Sequence, residues 1–469
     1  MPSKPPSKPA QGKAKAGGAA PGPLMATISG IRGVAGRELT AATVVPFVDA
    51  FAHMIGGPRI VIGYDARPSH QWIVPLVEAV VRSHGIDVVQ LGLCPTPTVG
   101  MMTRKLKAAG GICVTASHNP IEYNGLKFFH SAGEFITGEM LARLKELIAT
   151  PHSPAEAPRV GARKEFGGAA ELHLRELVAA LPPPGRARTG KAPRVVIDCC
   201  NSAGTTLAPD VADAYGAVIQ LLHCDTRKLE FPRGAEPTAE NIVKLRRAVV
   251  KEVADLGFAI DPDADRLALV DAQGNALGEE RTFILAADAF LTLGKRKSPL
   301  VVNLSTSMAV DDLAKKHGVK VYRTAIGEAN VLAGMRAHKA RIGGEGNGGV
   351  ILPQVQPGRD AATAIALVLM GLQARGGTLA DWNATIPDYA MRKTSVPLGS
   401  VPVAAALEKV KRAFPREKIE TTDGVKVSLA DRWVHVRASN TEPIVRVFAE
   451  APTAAGVEEL VEKVAGLLR

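Results

Sequence analysis

Four short segments hold residues whose types and spacing can do chemistry. Phe258 to Asp271 (FAIDPDADRLALVD) sets Asp261, Asp263 and Asp265 at alternate positions. Three carboxylates so close repel one another unless a cation sits among them, and hard oxygen ligands suit Mg2+. An EF-hand is excluded, because Arg266 and Ala272 stand where its loop needs Gly and Glu. Gly110 to Phe129 (GGICVTASHNPIEYNGLKFF) reads as a buried strand, Ile112–Thr115, and then a polar loop, 116–120. In open α/β sheets that carboxyl edge is where ligands bind. Ser117 offers a hydroxyl there, His118 can move protons near neutral pH, Asn124-Gly125 signals a turn, and Lys127 follows as a cation. A serine beside a histidine is by itself also an ordinary capped loop. Gly343 to Gly349 (GGEGNGG) lets backbone approach a ligand closely. Within it Glu345 can accept two hydroxyls and Asn347 can donate or accept. No Gly-Lys-Ser/Thr follows, so it is not a P-loop. Arg437 to Arg446 (RASNTEPIVR) clusters Arg437, Ser439, Asn440 and Thr441 around a turn, a donor set that suits phosphate, with Arg446 on the strand after it.

The elements around these segments point to α/β architecture. Arg59–Gly63 reads as a strand, Pro75–His84 as a helix stopped by Gly85, and Ile86–Leu91 as the next strand. Such a strand–helix–strand unit implies a parallel sheet. Val195–Ile197 and Leu300–Asn303 repeat the theme, each running into a polar loop, which suggests three α/β units of related design. Phe258–Ile260 and Leu267–Val270 flank the aspartates as strands, and a final helix is expected over Ala454–Leu468. Ala149–Gly167 and Leu181–Pro193 read as linkers by composition.

With 469 residues the chain exceeds a single core and implies three or four domains. The segment up to Leu24 is Lys, Pro, Ala and Gly, with no apolar stretch for a secretory signal, and reads as a disordered basic tail. Its Lys4, Lys8, Lys13 and Lys15 supply part of the net charge of +11. The remaining excess reads as solvated surface charge or as a field attracting an anionic substrate. Aromatic content of 4% gives few stacking platforms, which argues against nucleic acid as a partner. No apolar run reaches the ~20 residues of a membrane span. Five cysteines without CxxC spacing (Cys94, Cys113, Cys199, Cys200, Cys224) suit reduced thiols in a cytoplasmic protein.

Taken together and in this order, the segments resemble the α-D-phosphohexomutases, which include phosphoglucomutase, phosphomannomutase and phosphoglucosamine mutase. TASHNP with YNGLK is highly specific to that family, and DPDADR with RASNTEP is specific in combination. Ser29-Gly30-Ile31-Arg32-Gly33 and GYDARPS at Gly63–Ser69 also fit, so the resemblance runs from about Ile28 to the C-terminus. One departure concerns the third segment. The common bacterial loop reads Gly-Glu, a variable residue, then Ser-Gly-His, whereas Asn347 and Gly349 stand here in place of that serine and histidine. The loop is closer to archaeal-type phosphoglucosamine and phosphomannose mutases. Asn440 stands where many members have Gly.

The resemblance implies four domains around a central cleft, the first three related α/β units with mixed sheets and the last α+β. The expected divisions are a tail over 1–24, then domains over 25–165, 166–270, 271–378 and 379–469. It implies a phosphoserine at Ser117, and Mg2+ bound by Asp261, Asp263 and Asp265 with the Ser117 phosphate. Arg32, His118 and Lys127 would serve phosphoryl and proton transfer, Lys127 as the general acid/base. Arg266 would sit beside the metal loop, while Glu345, Asn347, Thr324 and Gly327 would bind the sugar. Arg437, Ser439, Asn440, Thr441 and Arg446 would hold the non-reacting phosphate. The implied activity is interconversion of hexose or hexosamine 6-phosphate and 1-phosphate, leaning to glucosamine, with a sugar 1,6-bisphosphate as activator. The partner would be a phosphosugar rather than nucleic acid or membrane, and the chain a monomer or homodimer. Rival readings are a serine-dependent, metal-assisted phosphatase and a sugar-phosphate sensor without chemistry.

Overall fold

Apolar runs that end in polar loops recur along the chain as strands, among them Gly110–Val114 before the Ser117 loop, Leu256–Ile260 before the aspartates and Ile342–Glu345 before Asn347. A computed structural model describes residues 24–150, 159–184, 192–294, 297–398, 401–438 and 444–468. The expected basic tail lies outside these, apart from Leu24. Among the described residues no helix is long and apolar enough to cross a membrane.

Three mixed sheets repeat one design. In spatial order the first contains Tyr123–His130, Gly110–Val114, Arg59–Tyr64 and Asp87–Leu93. The second runs Leu267–Asp271, Leu256–Ile260, Arg194–Asp198, Val218–Leu222. The third contains Gly349–Leu352, Ile342–Glu345, Leu300–Asn303, Val321–Thr324. In each set the first pair is antiparallel and the next two pairs are parallel. The antiparallel pair is a hairpin, and its loop carries Ser117 in the first unit, the aspartates in the second and Asn347 in the third. The three related starts expected from Arg59, Val195 and Leu300 are therefore present as equivalent strands. The fourth sheet, Ala390–Pro397, Ile444–Ala451, Trp433–Ala438, Val425–Ser428, Lys418–Glu420, is wholly antiparallel. It is backed by the helices Val403–Ala413 and Ala454–Leu468.

One apolar core runs continuously through units one to three, joining Val99, Val211, Phe283, Leu367 and Trp382. The fourth unit has its own core around Val425, Val434, Val447 and Val461. It meets the third through polar contacts: Lys426 Nζ to the Leu304 carbonyl (2.5 Å), Ser305 Oγ with His435 Nδ1 (2.8 Å), and Met308 N to Glu450 Oε2 (2.8 Å).

Several expectations need correction. Asn124-Gly125 is not a turn but lies inside the strand Tyr123–His130. A Cβ at Gly125 would stand 2.1 Å from the Ile31 carbonyl oxygen, so this glycine serves close strand approach. The glycine-rich segment Gly343–Gly349 forms a tight hairpin between Ile342–Glu345 and Gly349–Leu352. At Gly348 φ is +84° and a Cβ would meet the Leu267 carbonyl oxygen at 2.4 Å, so only glycine fits. The first expected linker contains the edge strand Arg163–Glu165, parallel to Asp87–Leu93. The helix expected at Pro75 begins earlier, at His70. The helix Leu379–Ala384 packs Leu379 and Trp382 into the core of units one to three. We therefore place the last boundary near Tyr389 instead of Leu379.

Candidate active site

The Ser117 loop is built from inside. The Arg67 guanidinium, wholly buried, donates to the carbonyl oxygens of Ser117 (2.6 Å), Asn119 (2.7 Å), Tyr123 (2.8 Å) and Pro120. Asp65 pairs with Arg67 at 3.0 Å and accepts from Thr115 Oγ1 at 2.6 Å, while Thr115 Oγ1 accepts from Ser117 N at 2.9 Å. This network holds Ser117 at φ +53°, in the left-handed region, where a serine is strained. Such strain persists only where the surroundings over-determine it.

The acidic hairpin is pinned by all three units. Thr96 N of the first donates to the Asp263 carbonyl (2.9 Å), Ala203 N of the second to the Pro262 carbonyl (3.0 Å), and Ala361 N of the third to the Ala264 carbonyl (3.2 Å). Asp261 Oδ1 accepts from the amides of Asp265 (3.1 Å) and Arg266 (3.0 Å). Its Oδ2 faces Ser117 Oγ at 3.4 Å. Ser117 Oγ is also 3.3 Å from His118 Nδ1, and the serine is 1% exposed.

Cations surround these carboxylates. Lys127 Nζ lies 2.6 Å from Asp263 Oδ2 and 3.1 Å from Asp265 Oδ2. Arg359 reaches Asp265 Oδ2 at 2.7 Å, Glu345 Oε2 at 3.0 Å and Glu328 Oε2 at 3.3 Å. Arg32 approaches Asn119 Oδ1 at 3.4 Å. Arg266 bonds Glu236 Oε1 at 3.1 Å, beside Asp265 Oδ1 at 3.8 Å.

Burial, and then Asp265 and Asp263, push the Asp261 carboxyl well above the usual range. Burial works the same way on Asp265, but Arg359, Lys127 and Arg266 outweigh it and hold that carboxyl below its usual range. Burial would lower Lys127, yet Asp263 and Asp265 outweigh it, so Lys127 is held protonated. Burial, then Arg266 and Arg32, push His118 well down, leaving a neutral imidazole. Lys127 is thus set up as an acid while it faces the two aspartates.

The aspartates suit a hard divalent cation. One carboxylate oxygen from each of Asp261, Asp263 and Asp265 lies within 4.8 Å of the other two. Asp263 Oδ1 and Asp265 Oδ1 are buried and accept no hydrogen bond. Buried acceptors without donors are costly unless a ligand takes them.

In the third unit Glu345 Oε1 accepts from Asn303 Nδ2 (2.9 Å) and Gly327 N (3.0 Å), and Oε2 from Arg359. A carboxylate offers about four acceptor positions. Three are filled, so Glu345 has room for roughly one hydroxyl instead of two. Asn347 Oδ1 accepts from Gly349 N (3.2 Å), and Thr324 Oγ1 donates to the Ala325 carbonyl (3.0 Å). A cavity of about 690 Å3 opens alongside, bounded by Gly327, Glu328, Phe135 and the strand Met25–Thr27.

In the fourth unit Arg437 and Arg446 stand opposite each other in the antiparallel pair. Like charges so placed repel unless an anion lies between them. Arg437 Nε donates to Asp423 Oδ1 (3.2 Å), and Asp423 Oδ2 accepts from Ile326 N (3.0 Å), which ties the expected phosphate clamp to the Thr324–Gly327 loop. Ser439, Asn440 and Thr441 lie outside the described residues.

Sequence reasoning missed Arg67, Thr96, Arg359 and Asp423. Arg67 was legible only as part of GYDARPS. Arg359 had one signal, the missing histidine: a Cβ at Gly349 would sit 2.2 Å from Arg359 Cδ, so the bare backbone there makes room for Arg359.

Comparison with known proteins agrees with this geometry. Family models of phosphoglucomutase/phosphomannomutase match alpha/beta/alpha domain I over residues 25–154, domain II over 173–274, domain III over 278–389 and the C-terminal domain over 396–467. The chain therefore belongs to the phosphoglucomutase/phosphomannomutase family and is a phosphohexomutase, an isomerase that works by phosphoryl transfer. A phosphoglucomutase/phosphomannomutase of Thermococcus kodakarensis is 32% identical, covering 92% of this chain and 96% of that protein. A phosphoglucosamine mutase of Rhodococcus jostii is 31% identical, covering 93% and 97%. The crystal structure of a putative phosphomannomutase from Thermus thermophilus superposes with a TM-score of 0.80 at 26% identity, covering 95% and 99%.

Proposed function

We propose that this chain interconverts the 6-phosphate and 1-phosphate of a hexose or hexosamine through a phosphoryl group carried on Ser117. The observation that carries the reading is Ser117 Oγ facing Asp261 Oδ2 at 3.4 Å, at the edge of a buried acidic triplet. Asp261, Asp263 and Asp265 would hold Mg2+ with the Ser117 phosphate, and the ion would neutralise charge on the phosphoryl oxygens.

Substrate enters with its own phosphate on the Arg437–Arg446 face. Its free hydroxyl points at Ser117 and takes the phosphoryl group. Lys127, held protonated, donates to the serine oxygen as it leaves, while the attacking sugar hydroxyl gives its proton to the neutral imidazole of His118; in the return step both protons run the opposite way. Arg32 and neutral His118 orient the phosphoryl oxygens. Glu345 and Asn347 orient the ring, with Arg359 fixing Glu345. The bisphosphorylated sugar then turns end for end and returns its other phosphate to Ser117. A sugar 1,6-bisphosphate primes bare enzyme by the same step. Burial of Ser117 keeps water from the phosphoryl group.

Glucosamine 6-phosphate is the substrate we favour, on the archaeal-type GGEGNGG loop and on relatives named phosphoglucosamine mutase. Five cysteines without disulfides suit the cytoplasm. Comparing kcat/KM for the 6-phosphates of glucosamine, mannose and glucose tests the preference. The reading expects glucosamine to lead, and a lead for mannose or glucose would overturn it.

A further inference from the structure

The polar junction between the third and fourth units borders a second, open cavity of about 370 Å3 that shares no residue with the catalytic centre. Four cations line it, Arg323 from the third unit and Lys418, Lys426 and Arg432 from the fourth, against two carboxylates, Asp311 and Glu420. The carboxylates are already engaged: Asp311 pairs with Arg323 at 2.6 Å and Glu420 with Lys418 at 3.6 Å. Arg432 is served from outside the cavity, by Asp431 at 2.9 Å and Glu459 at 3.3 Å.

Lys426 is the residue left over. It is 3% exposed and, among the described residues, has no carboxylate within ion-pair distance. Its ammonium donates to the Leu304 carbonyl at 2.5 Å and stands 4.4 Å from the centre of the Trp433 ring. Burial of a charge without a counter-charge is strongly unfavourable. Burial and then Arg323 push this lysine down to about 7. A carbonyl and a ring face soften that cost, and an anion would remove it.

We propose that this junction is a second anion site, taking a small phosphate-bearing molecule between Arg323 of the third unit and Lys426 and Lys418 of the fourth. The volume falls in the range of small-ligand sites, and clustered Arg and Lys suit a dianion. The site is separate from the distal clamp. Trp433, at the cavity, and Arg437, at the clamp, are four residues apart on one strand, roughly 13 Å at strand rise. A dianion here ties the fourth unit to the third at the end of the sheet remote from the clamp.

Binding can be read by calorimetry on the full chain carrying Ser117→Ala and Arg437→Ala, which prevents phosphoryl transfer to position 117 and weakens phosphate binding at the clamp. The probes are orthophosphate and glucose 6-phosphate. The proposal expects this background protein to bind at least one of them with one-to-one stoichiometry, and Lys426→Met to weaken that binding roughly tenfold or more. Binding of orthophosphate alone marks the free ion as the ligand; binding of both marks the phosphoryl group of a metabolite. Should Lys426→Met fail to fold, Lys418→Met, on the accessible rim, decides, with a loss of several-fold expected. Absence of binding in the background protein, or binding untouched by these substitutions, overturns the proposal.

Discussion

Lys127 Nζ lies 2.6 Å from Asp263 Oδ2 and bridges to Asp265, so the strand after the serine loop supplies the cation that the acidic hairpin needs. The same pair couples metal affinity to proton transfer. With a divalent ion bound, the aspartates would hold the ammonium less strongly and Lys127 would release a proton more readily.

Asp263→Asn therefore acts on two steps. It should raise the Mg2+ concentration for half-maximal turnover by roughly 10–100-fold and also lower turnover at saturation. Chelation of the wild type should abolish activity, with recovery on adding Mg2+. A metal titration of both proteins reads this, and an unchanged Mg2+ dependence in the variant would make the triplet structural.

Arg67→Ala should damage the serine loop without touching substrate. It strips four carbonyl oxygens of a donor and leaves the wholly buried Asp65 without its cation. Losing one partner of a buried pair costs about 3–5 kcal/mol. Urea unfolding should show that loss. A variant as stable as wild type would mean that the loop is held by other contacts.

Arg437→Ala should mainly weaken binding. The loss of a charged phosphate contact corresponds to roughly a 10–100-fold rise in KM, with kcat changed less. Steady-state kinetics with the phosphosugar measures it. An unaltered KM would move the distal clamp elsewhere.

The pH dependence of stability should carry a signature of Lys426. Burial and Arg323 lower it to about 7, against the opposite pull of Glu420, Asp311 and Glu450, while the unfolded chain titrates near the ordinary 10.5. Between these values the unfolded state binds more protons than the folded one, so this lysine makes stability rise with pH across that window and fall as pH drops toward 7. The unfolding free energy of wild type minus that of Lys426→Met should therefore increase with pH over the window. A constant difference would contradict the burial argument.

The strands around Arg59, Val195 and Leu300 were legible because each is a short apolar run between punctuating loops, and the helix Ala454–Leu468 because its apolar period is regular. Ser117 and the aspartates were legible because their chemistry is packed into a few consecutive residues. Arg67 and Arg359 were not. Each sits in an unremarkable local sequence and acquires its role only through partners far along the chain, Ser117 for one and Asp265 with Glu345 for the other. Asn124-Gly125 misled for the same reason. Its local turn signal yields to the strand pairing that brings Ile31 against it. The convergence of three hairpin loops on one point is likewise a property of the repeated sheet order, which no single segment states.

The central claim is that Ser117 carries the transferred phosphoryl group. Mapping phosphate by peptide mass spectrometry, before and after one equivalent of hexose 6-phosphate is mixed with bisphosphate-primed enzyme, tests it most directly. The account expects phosphate on Ser117 at the start, its loss to the sugar within a single turnover, and neither signal nor mutase activity in Ser117→Ala. Phosphate on another residue, or turnover sustained by Ser117→Ala, would contradict it.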